Sequence, residues 1–287
     1  MESEQKPTVF CIIVNWNGWA DTLRCLDSLS QSHYRNLTIL VVDNGSTNDS
    51  VARIRNAYPD LELIESPANL GFGSGNNLGI RKALERAADY VWLLNNDTIV
   101  EANTLTEMVL TAESHPELGQ IGSVLYYAHA PNKVQAWGGG HINLWMGTSR
   151  HYCEPVDWKR LDFITAASVL IPSKVFRQVG LFDERYFMYW EDTDLSFRIR
   201  EAGWKLGVAK NATLLHKEGA SSRSKSPQFD RYITISGLRF ARRFSFAPPV
   251  TEFMMVFGRA FRRFLVGQWR RGWAVLSCAK YLWSSAG

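Results

Sequence analysis

Residues 91–97 have the sequence Val-Trp-Leu-Leu-Asn-Asn-Asp, in which four apolar residues are followed directly by three polar ones. A short apolar run that contains aromatic and β-branched residues predicts a buried strand. Ligands of open α/β sheets bind beyond the carboxyl ends of such strands. We therefore expect this strand to present Asp97 at the rim of a sheet, where its carboxylate can bind a divalent cation.

The chain before this strand alternates between apolar runs and helical patterns. Residues 8–14, 38–42 and 61–64 are short apolar runs, and apolar residues recur at helical spacing in residues 51–58, before Pro59. Strands that alternate with helices predict βαβ crossovers and a mostly parallel sheet covered by helices on both faces. The sequence therefore predicts an α/β fold.

The second half of the chain has a looser pattern. Residues 126–160 are rich in glycine, aromatic residues and histidine, and we expect them to form a long functional loop. Strands are predicted over residues 166–171 and 212–215, with a helix over residues 173–179 after the first of them. The last strand places His216 at its end.

Asp97 and His216 therefore both follow strands. A histidine by itself is more often a structural hydrogen-bonding group than a metal ligand. The shared position at strand ends favours a metal site, because a carboxylate oxygen and an imidazole nitrogen suit Mg²⁺ or Mn²⁺, with pyrophosphate oxygens as further ligands.

Two other polar segments follow strands or open helices. Residues 43–46, Asp-Asn-Gly-Ser, form either a turn with an Asx-type hydrogen bond or a site where the Asp43 carboxylate accepts a hydrogen bond from a nucleobase or ribose. Residues 69–79 are glycine-rich and lead into a helix, which allows close backbone approach to a phosphate. They do not match the dinucleotide-binding fingerprint.

Three acidic residues lie within the first turn of a predicted helix, at Glu191, Asp192 and Asp194. Acidic residues there interact favourably with the helix dipole, so one or two are explained by capping alone. Three exceed that need. We assign Asp192 as the group that accepts a proton from an attacking hydroxyl, and Asp194 as the cap.

Composition limits the cellular setting. The 287 residues include 11 tryptophans, which favour stacking on sugar rings or docking at an interface, and four cysteines without metal-type or disulfide-type spacing. We interpret the cysteines as buried free thiols in a reducing compartment. Residues 1–7 do not resemble a signal peptide, and no run of 18 apolar residues predicts a spanning helix. These features predict a protein of the cytosolic side.

The carboxyl-terminal segment is strongly basic. From Arg239 onward nine Lys and Arg residues face one acidic residue, so the preceding part carries a net charge of −4 within the total of +4. A helix over residues 251–271 would place arginines on one face and phenylalanines on the other, and such a helix can lie on an anionic membrane. The alternative is a helix that packs on the catalytic domain or on a dimer partner, with a solvated arginine face. The arginines are Arg259, Arg262, Arg263 and Arg270, the phenylalanines are Phe253, Phe257, Phe261 and Phe264, and Trp269 and Trp273 favour the membrane.

Six short motifs occur in order between residue 8 and about residue 222. They are V-N-W-N-G (14–18), V-V-D-N-G-S (41–46), N-L-G-F-G-S-G-N-N-L-G (69–79), L-L-N-N-D (93–97), W-E-D-T-D-L (190–195) and L-L-H (214–216). Together they resemble family two glycosyltransferases of the GT-A fold. The resemblance implies a Rossmann-like, mostly parallel sheet, and transfer of a sugar from a nucleoside diphosphate donor to a hydroxyl with inversion at the anomeric carbon.

The resemblance also implies roles for individual residues. Asp97 and His216 bind Mg²⁺ or Mn²⁺, and Asp192 is the catalytic base. Asn95 stands where many members have the first Asp of the D-x-D motif, and Asn76 stands where many have an arginine. The expected nucleotide-binding residues are Val14, Asn15, Asp43, Asn69, Gly71, Asn76, Asn95 and Asn96. The expected donor-binding or acceptor-binding residues are Trp137, Gly138, Gly139, Trp190 and Glu191, with Trp145 as a further positioning residue; a core role for at least one of these tryptophans is an equal alternative.

The G-N-N motif and the loop at Trp137 are similar to those of bacterial rhamnosyltransferases of cell-surface polysaccharide synthesis. This points to dTDP-L-rhamnose as donor and to a glycan or lipid-linked acceptor at the inner face of the bacterial plasma membrane. A UDP-hexose or UDP-galactofuranose donor is the alternative within the same reaction. A nucleotide-sugar-binding protein without transfer activity is another alternative, and a nucleic-acid partner is not expected.

The predicted domain organisation follows from these assignments. Residues 1–235 form a GT-A catalytic domain, with a nucleotide-binding half over residues 1–118 and an acceptor-binding half over residues 119–235. Residues 236–287 form a basic amphipathic helical tail that contacts either a membrane or, in a homodimer, a second copy.

Overall fold

Strands and helices alternate through the first half of the chain, as the apolar pattern predicted. The computed structural model describes residues 6–217 and 226–282, so most of the segment examined for a signal peptide lies outside the described residues. The strands are β1 (Val9–Asn15), β2 (Leu37–Asp43), β3 (Glu62–Glu65), β4 (Tyr90–Asn95), β5 (Thr98–Val100), β6 (Leu118–Tyr127), β7 (Ala130–Trp137), β8 (Gly139–Asn143), β9 (Thr148–His151), β10 (Phe163–Ile164), β11 (Ser168–Pro172) and β12 (Lys205–His216). The α-helices are α1 (Trp19–Ser30), α2 (Ser50–Ala57), α3 (Phe72–Glu85), α4 (Thr104–Ser114), α5 (Ser173–Val179), α6 (Glu191–Glu201), α7 (Pro227–Phe244), α8 (Pro248–Phe253), α9 (Arg259–Leu265) and α10 (Trp269–Leu276).

The main sheet has the strand order β3-β2-β1-β4-β11-β6-β12-β5, and β7 pairs with β6. The neighbours β3, β2, β1 and β4 are parallel, as are β6 and β12, whereas β11 runs antiparallel between β4 and β6. The register aligns Asn15 with Asp43, and Val14 with Asn95. Three strands therefore end at one rim of the sheet with polar side chains.

Both faces of the central strands are buried. Ile13 and Leu94 pack in one apolar layer, and Ile12 and Leu93 pack in the layer on the opposite face. Strands that are covered on both sides read as continuous apolar runs, which is why residues 91–94 contain no polar residue. The rim residues are thus carried on the most rigid part of the molecule.

The last strand brings the chain back to the end of β4. β5 follows Asp97 directly and pairs antiparallel with β12, so that His216 lies opposite Thr98. A backbone hydrogen bond of 3.0 Å from Lys217 N to Asp97 O closes this pairing. The register alone therefore places His216 beside Asp97.

The predicted long loop over residues 126–160 is wrong. This segment forms β7, β8 and β9, and β8 joins β9 and β10 in a second, three-stranded sheet. A Cβ atom on Gly139 would lie 1.8 Å from Phe163 O, and one on Gly140 would lie 2.1 Å from Arg150 O. Neighbouring backbones occupy the space of these side chains, so glycine replaces the apolar alternation that would have marked a strand.

The carboxyl-terminal segment is helical but does not form one helix over residues 251–271. α8 is followed by a π-helical turn over residues 254–258 and then by α9, and the chain reverses at Gly267 (φ +72°) into α10. α7 runs through residue 235, where the sequence placed the end of the catalytic domain, and that division stays a prediction. Across residues 6–217 and 226–282, none of the helices combines the length and the apolar character that crossing a membrane requires.

The four cysteines are free thiols, as predicted. Cys11, Cys25 and Cys278 are buried, but Cys153 is exposed. Burial raises the pKa of Cys25 to about 12, which keeps this thiol protonated beneath the site.

Candidate functional site

The side chains of Asp97 and His216 meet at the rim of the sheet. His216 Nε2 lies 3.2 Å from Asp97 Oδ1, and both side chains are largely buried. Asn95 Nδ2 lies 3.3 Å from the same ring nitrogen. Residues separated by more than a hundred positions thus come together as the strand-end argument predicted.

The other ring nitrogen fixes the orientation of His216. Nδ1 lies 2.8 Å from Gln135 Oε1, an assigned amide oxygen that accepts hydrogen bonds only, so Nδ1 is assigned as the protonated nitrogen. A neutral His216 then points the lone pair of Nε2 at a carboxylate oxygen. Asn95 Nδ2 can donate to this lone pair at 3.3 Å, and a metal ion placed between Nε2 and Asp97 Oδ1 would have both atoms as ligands.

The donor set at this position fits a divalent cation that is completed by its substrate. No group of three His, Cys, Asp or Glu side chains in the described residues is arranged to hold a metal ion. One carboxylate and one imidazole leave open positions, which suits a Mg²⁺ or Mn²⁺ ion that shares its remaining ligands with phosphate oxygens and water.

Asn15 and Asp43 cross-brace the ends of β1 and β2. Asn15 Nδ2 donates to Asp43 Oδ2 at 2.7 Å, and Ser46 N and Oγ donate to the same carboxylate at 2.9 and 2.7 Å. Thr22 Oγ1 donates a hydrogen bond of 2.9 Å to Asn15 Oδ1. The same Thr22 hydroxyl accepts a hydrogen bond from Asn96 Nδ2. The turn alternative for Asp43 is therefore present, and its contact with a base stays a prediction.

The glycine-rich segment begins α3 earlier than its composition suggests. Asn69 Oδ1 accepts hydrogen bonds from Gly71 N at 2.9 Å and from Asn44 Nδ2 at 3.1 Å. Gly71 has φ +89°, and a Cβ atom there would lie 2.1 Å from Phe187 O, so the turn requires glycine. These contacts hold the start of α3 against the loop before α6.

Asn76 departs from its predicted role. Its side chain is buried within α3, and Nδ2 donates to Phe72 O of the preceding turn at 3.0 Å. The amide is therefore used inside the helix rather than presented to a phosphate.

Glu191 and Asp192 begin α6 as adjacent carboxyl groups. Asp192 Oδ1 accepts from Thr193 N at 2.7 Å, and Oδ2 accepts from Ala166 N at 3.3 Å. Burial raises the pKa of Asp192. Burial, together with the neighbouring Asp192, raises the pKa of Glu191 well above its usual range, and Glu191 Oε2 has no hydrogen-bond partner in the described residues. The pair holds protons more tightly than solvated carboxylates do.

Asp194 is not a cap. Its carboxylate forms an ion pair of 2.6 Å with Arg198 one turn later and accepts a hydrogen bond from the Tyr186 hydroxyl at 3.3 Å. Asp194 is fully buried, so this pair serves packing rather than the helix terminus. Among the acidic residues of this turn, Glu191 and Asp194 are buried, and Asp192 is partly exposed to solvent.

The backbone before Asp192 is strained. Tyr189 and Trp190 both have positive φ angles, of 68° and 70°, although neither is glycine. Left-handed conformations of this kind cost about 1 kcal/mol or more per residue and persist where the surroundings impose them, often at functional sites. The turn directs Asp192 towards Ala166 at the start of β11.

Trp190, for which the sequence left a positioning role and a core role open, lies in the core. Its ring is buried against Phe240, with ring centroids 4.8 Å apart, and Nε1 donates to Ile233 O at 3.1 Å. Trp190 therefore anchors the strained turn to α7, which is the core alternative that the sequence left open.

Packing accounts for two other predicted contacts. Gly138 has φ +71° and abuts Val208, and Gly139 abuts the backbone of Phe163. Trp137 is half-buried against the core, whereas Trp145 is exposed, with one edge on Phe246. Of the tryptophans predicted at the donor or acceptor site, Trp145 has the most exposed ring.

A short backbone segment joins the two halves of the site. Ala166 N donates to Asp192 Oδ2 at 3.3 Å. The carbonyl oxygen of the following residue, Ala167, accepts a hydrogen bond from Asn95 N at 2.9 Å. The carboxylate of Asp192 and the rim that bears Asp97 are therefore hydrogen-bonded to backbone groups of two consecutive residues, Ala166 and Ala167. An acceptor hydroxyl at Asp192 would face a donor held at the rim.

The sequence reasoning missed Gln135 and His151. Gln135 on β7 orients His216, and His151 at the end of β9 offsets part of the rise that burial causes in the pKa of Asp192. Both lie in the segment interpreted as a loop, and neither belongs to a motif. Only the pairing of β7 with β6 brings Gln135 to the rim.

Comparison with known proteins agrees with this geometry. Residues 10–175 match the model of the family described as Glycosyl transferase family 2. The chain is 30% identical over 224 residues to the N-acetylglucosaminyl-diphospho-decaprenol L-rhamnosyltransferase of Mycobacterium tuberculosis, covering 69% of this chain and 72% of that one. It is 28% identical over 245 residues to the O-antigen biosynthesis protein RfbC of Myxococcus xanthus, covering 79% of this chain and 19% of that one.

Solved structures support the predicted fold. The mannosyltransferase PcManGT from Pyrobaculum calidifontis, solved with GDP-Man and Mn²⁺, superposes with a TM-score of 0.61 at 16% identity, covering 98% of this chain and 77% of that one. At this identity the likeness concerns the fold, and it confirms the GT-A architecture with helices following the catalytic sheet.

Proposed function

The chain belongs to glycosyl transferase family 2 and is a glycosyltransferase, and from this premise we propose that it transfers L-rhamnose from dTDP-L-rhamnose, with inversion. The proposed acceptor is a hydroxyl of a bacterial cell-surface glycan or of its lipid-linked precursor. The observation that carries the proposal is the pairing of Asp97 with His216 at 3.2 Å, beside the raised-pKa carboxyl of Asp192. The rhamnosyl assignment draws on the printed activity of the mycobacterial relative.

Asp97 and His216 would hold Mg²⁺ or Mn²⁺. Such an ion, when bound, neutralises the negative charge that develops on the departing nucleoside diphosphate. The protein's part is to fix the two ligands: Gln135 sets the tautomer of His216, and the pairing of β5 with β12 sets its position. Asn95 supplies a neutral amide where a second carboxylate would repel the donor phosphates.

Asp192 would act as the base. Its carboxylate takes the proton of the acceptor hydroxyl as the oxygen bonds to the anomeric carbon and the bond to the diphosphate oxygen breaks. Burial raises the pKa of this carboxyl, which makes its ionised form a better proton acceptor. Ala166 N and Thr193 N hold its oxygens in place for that transfer.

The nucleotide would lie over the ends of β1, β2 and β4. The braces between Asn15, Asp43 and Asn96 make this rim rigid before the ligand binds, which lowers the ordering cost of binding. The residues assigned to this surface are Val14 through its backbone, Asn15, Asp43, Asn69, Gly71, Asn95 and Asn96, with Glu191 on the donor side.

A ligand panel tests the donor. Thermal unfolding is measured with dTDP-, UDP- and GDP-sugars, each with and without Mn²⁺ or Mg²⁺. We expect the largest metal-dependent rise in the unfolding midpoint with dTDP-L-rhamnose. Stabilisation by UDP-sugars alone would move the assignment to the UDP-hexose or UDP-galactofuranose alternative, and stabilisation by GDP-sugars alone would contradict both.

Single-turnover transfer distinguishes an enzyme from a sugar-nucleotide sensor. Donor, metal and a soluble acceptor that carries the terminal sugar of the glycan are mixed with the protein, and the released nucleoside diphosphate is measured. We expect release that depends on the acceptor. Tight donor binding with no release for any acceptor offered would favour the non-catalytic alternative. A lipid-linked acceptor would further place the enzyme as a peripheral protein at the inner face of the plasma membrane.

A further inference from the structure

The end of the described chain forms a helical hairpin from α9 and α10. Gly267 N and Gln268 N donate to Phe264 O and Arg263 O at 3.0 and 2.9 Å, which closes the end of α9. The ring of Phe264 packs between the helices, so close to Gly272 that a Cβ atom there would lie 2.4 Å from it. The hairpin is therefore a tightly built unit rather than a loose tail.

A buried carboxylate on α7 sets the rotation of this hairpin. Asp230 is fully buried, and its oxygens accept hydrogen bonds from Arg263 at 2.8 Å and from Arg271. Arg259 lies in the same cluster, and burial lowers its pKa. The arginine face of α9 is thus turned towards the protein, so the solvated arginine face of the alternative interpretation is wrong for Arg259 and Arg263. Three guanidinium groups around one carboxylate leave an excess of positive charge.

The opposite face of the hairpin is apolar and open to solvent. Five large apolar side chains at the turn and on the outward sides of both helices are between 62% and 68% exposed. Exposed apolar groups of this size seldom cluster on a surface that stays in water. We call this face the tip surface, and it consists of Phe261, Leu265, Val266, Trp269 and Trp273.

Exposed cations flank the tip surface. Arg262 follows Phe261, and Arg270 follows Trp269, and both are exposed. From residue 253 to the end of the sequence there is no Asp or Glu. Tryptophans at a rim with arginines beside them match the boundary between acyl chains and anionic headgroups, where the rings bury and the guanidinium groups meet phosphate.

We propose that the tip surface docks on an anionic lipid bilayer, with its five apolar side chains entering the headgroup boundary and Arg262 and Arg270 contacting lipid phosphates. A second copy of this chain is a poorer occupant. A two-fold interface pairs identical patches, so it would bring Arg262 and Arg270 of both copies together with no carboxylate in the hairpin to separate them.

The proposal rests in part on the proposed function, since it names where the enzyme would meet the surface that carries a lipid-linked acceptor. The tip surface and its flanking arginines support the proposal whatever the donor and the reaction are. Vesicle binding can be measured without donor, metal or acceptor, and transfer can be measured on a soluble acceptor. A failure of one is therefore distinguishable from a failure of the other.

Vesicle co-sedimentation of the full chain is the test. The vesicles contain phosphatidylcholine alone, or phosphatidylcholine mixed with phosphatidylglycerol. We expect binding to the mixed vesicles, weakening as salt rises, and a blue shift of tryptophan fluorescence on binding. The double variant L265S/W269S should reduce binding by at least about tenfold because it removes buried apolar area. The double variant R262E/R270E should also lose at least about tenfold, since each basic residue near an anionic surface contributes about fivefold.

Matched variants elsewhere on the surface serve as controls. L110S removes an apolar side chain that is 55% exposed on α4, and R35E/R177E reverses two exposed charges outside the hairpin. We expect both to bind vesicles as the native chain does. All variants are checked for an unchanged unfolding midpoint and donor stabilisation. Equal loss in the control variants, or no binding by the native chain, would overturn the proposal, as would self-association that L265S/W269S abolishes.

Discussion

The site contains two pairs of ionisable groups with opposite designs. Asp97 and His216 come from distant parts of the chain, and His216 Nε2 lies 3.2 Å from Asp97 Oδ1. Glu191 and Asp192 are consecutive, belong to one helix start, and share a desolvated position that raises both pKa values. The first pair offers two ligands to a cation. The second pair is stabilised when one of its buried carboxyl groups binds a proton.

This difference assigns the chemistry. A carboxylate that faces an imidazole lone pair in a rigid sheet is suited to hold a charge that does not move during the reaction. A carboxylate raised in pKa beside a strained turn is suited to take up a proton and release it. If the two roles were exchanged, a carboxyl group that gains and loses a proton would lie where the donor phosphates need a fixed positive charge.

Removing the base should have the largest effect. Asp192→Asn is expected to lower kcat by about 10³-fold, since positioned general bases contribute roughly 10²–10⁴-fold. Donor and metal binding should persist, because Asp192 belongs to the second pair. The measurement is steady-state transfer together with donor-induced thermal shift, with Asp194→Asn as a comparison that should act by destabilising the fold. Near-native kcat in Asp192→Asn would remove this residue from the mechanism.

Removing a member of the first pair should break metal dependence instead. Asp97→Asn is expected to abolish the Mn²⁺-dependent part of donor stabilisation and to lower activity by about 100-fold, because the variant loses charge stabilisation of the leaving group. Asp89→Asn, which removes a carboxylate that caps Thr8 N on the far end of the sheet, is the control. Isothermal titration of dTDP with Mn²⁺ reports the effect. Unchanged metal-dependent affinity in Asp97→Asn would show that the ion binds elsewhere.

Freeing the orientation of His216 should have a smaller effect on the same pair. Gln135→Met keeps the volume of the side chain but removes the acceptor for Nδ1–H. Partners of metal-ligating histidines are typically worth 10–100-fold, so we expect apparent Mn²⁺ affinity to fall by about tenfold with little change in kcat at saturating metal. A fall in kcat that saturating Mn²⁺ does not restore would contradict the role assigned to Gln135.

The pH dependence should reveal the second pair. Activity requires ionised Asp192, whose pKa is raised, so kcat/KM should fall towards acid with a limb above the ordinary aspartate pKa of about 3.9. Glu191→Gln removes the neighbouring charge and should move this limb to lower pH. Because the folded state binds these protons more tightly than the unfolded state, the pair's cost to stability grows as pH rises through the raised pKa values. Glu191→Gln should therefore unfold at an equal or higher temperature at pH 7. If the acid limb of kcat/KM does not move in this variant, Glu191 does not influence the pKa of Asp192.

The first pair was predictable because it follows from apolar runs, which are local signals in the sequence. Asp97 and His216 each follow an apolar run, and parallel strands bring their carboxyl ends to one rim. Gln135 was not predictable, because its strand, Ala130–Trp137, has no sustained apolar alternation and is followed directly by Gly138, Gly139 and Gly140. The space at Gly139 and Gly140 is filled by the backbones of β10 and β9, and the space at Gly138 by the Val208 side chain, which no local pattern reveals.

The second pair and the hairpin were predictable only in part. The acidic cluster at residues 191–194 indicated the base, but the burial of Trp190 follows from its contact with α7, a helix that begins more than thirty residues later. The helical pattern of residues 259–265 indicated two faces. Which face turns inward depends on Asp230, a single buried carboxylate whose partners the pattern does not show.

The shared cation is the central claim, and it can be tested by anomalous diffraction from crystals grown with dTDP and Mn²⁺. We expect one manganese peak within bonding distance of both Asp97 Oδ1 and His216 Nε2, with diphosphate oxygens as its other ligands. Bound dTDP without a manganese peak at this position, or with the peak away from either side chain, would contradict the account.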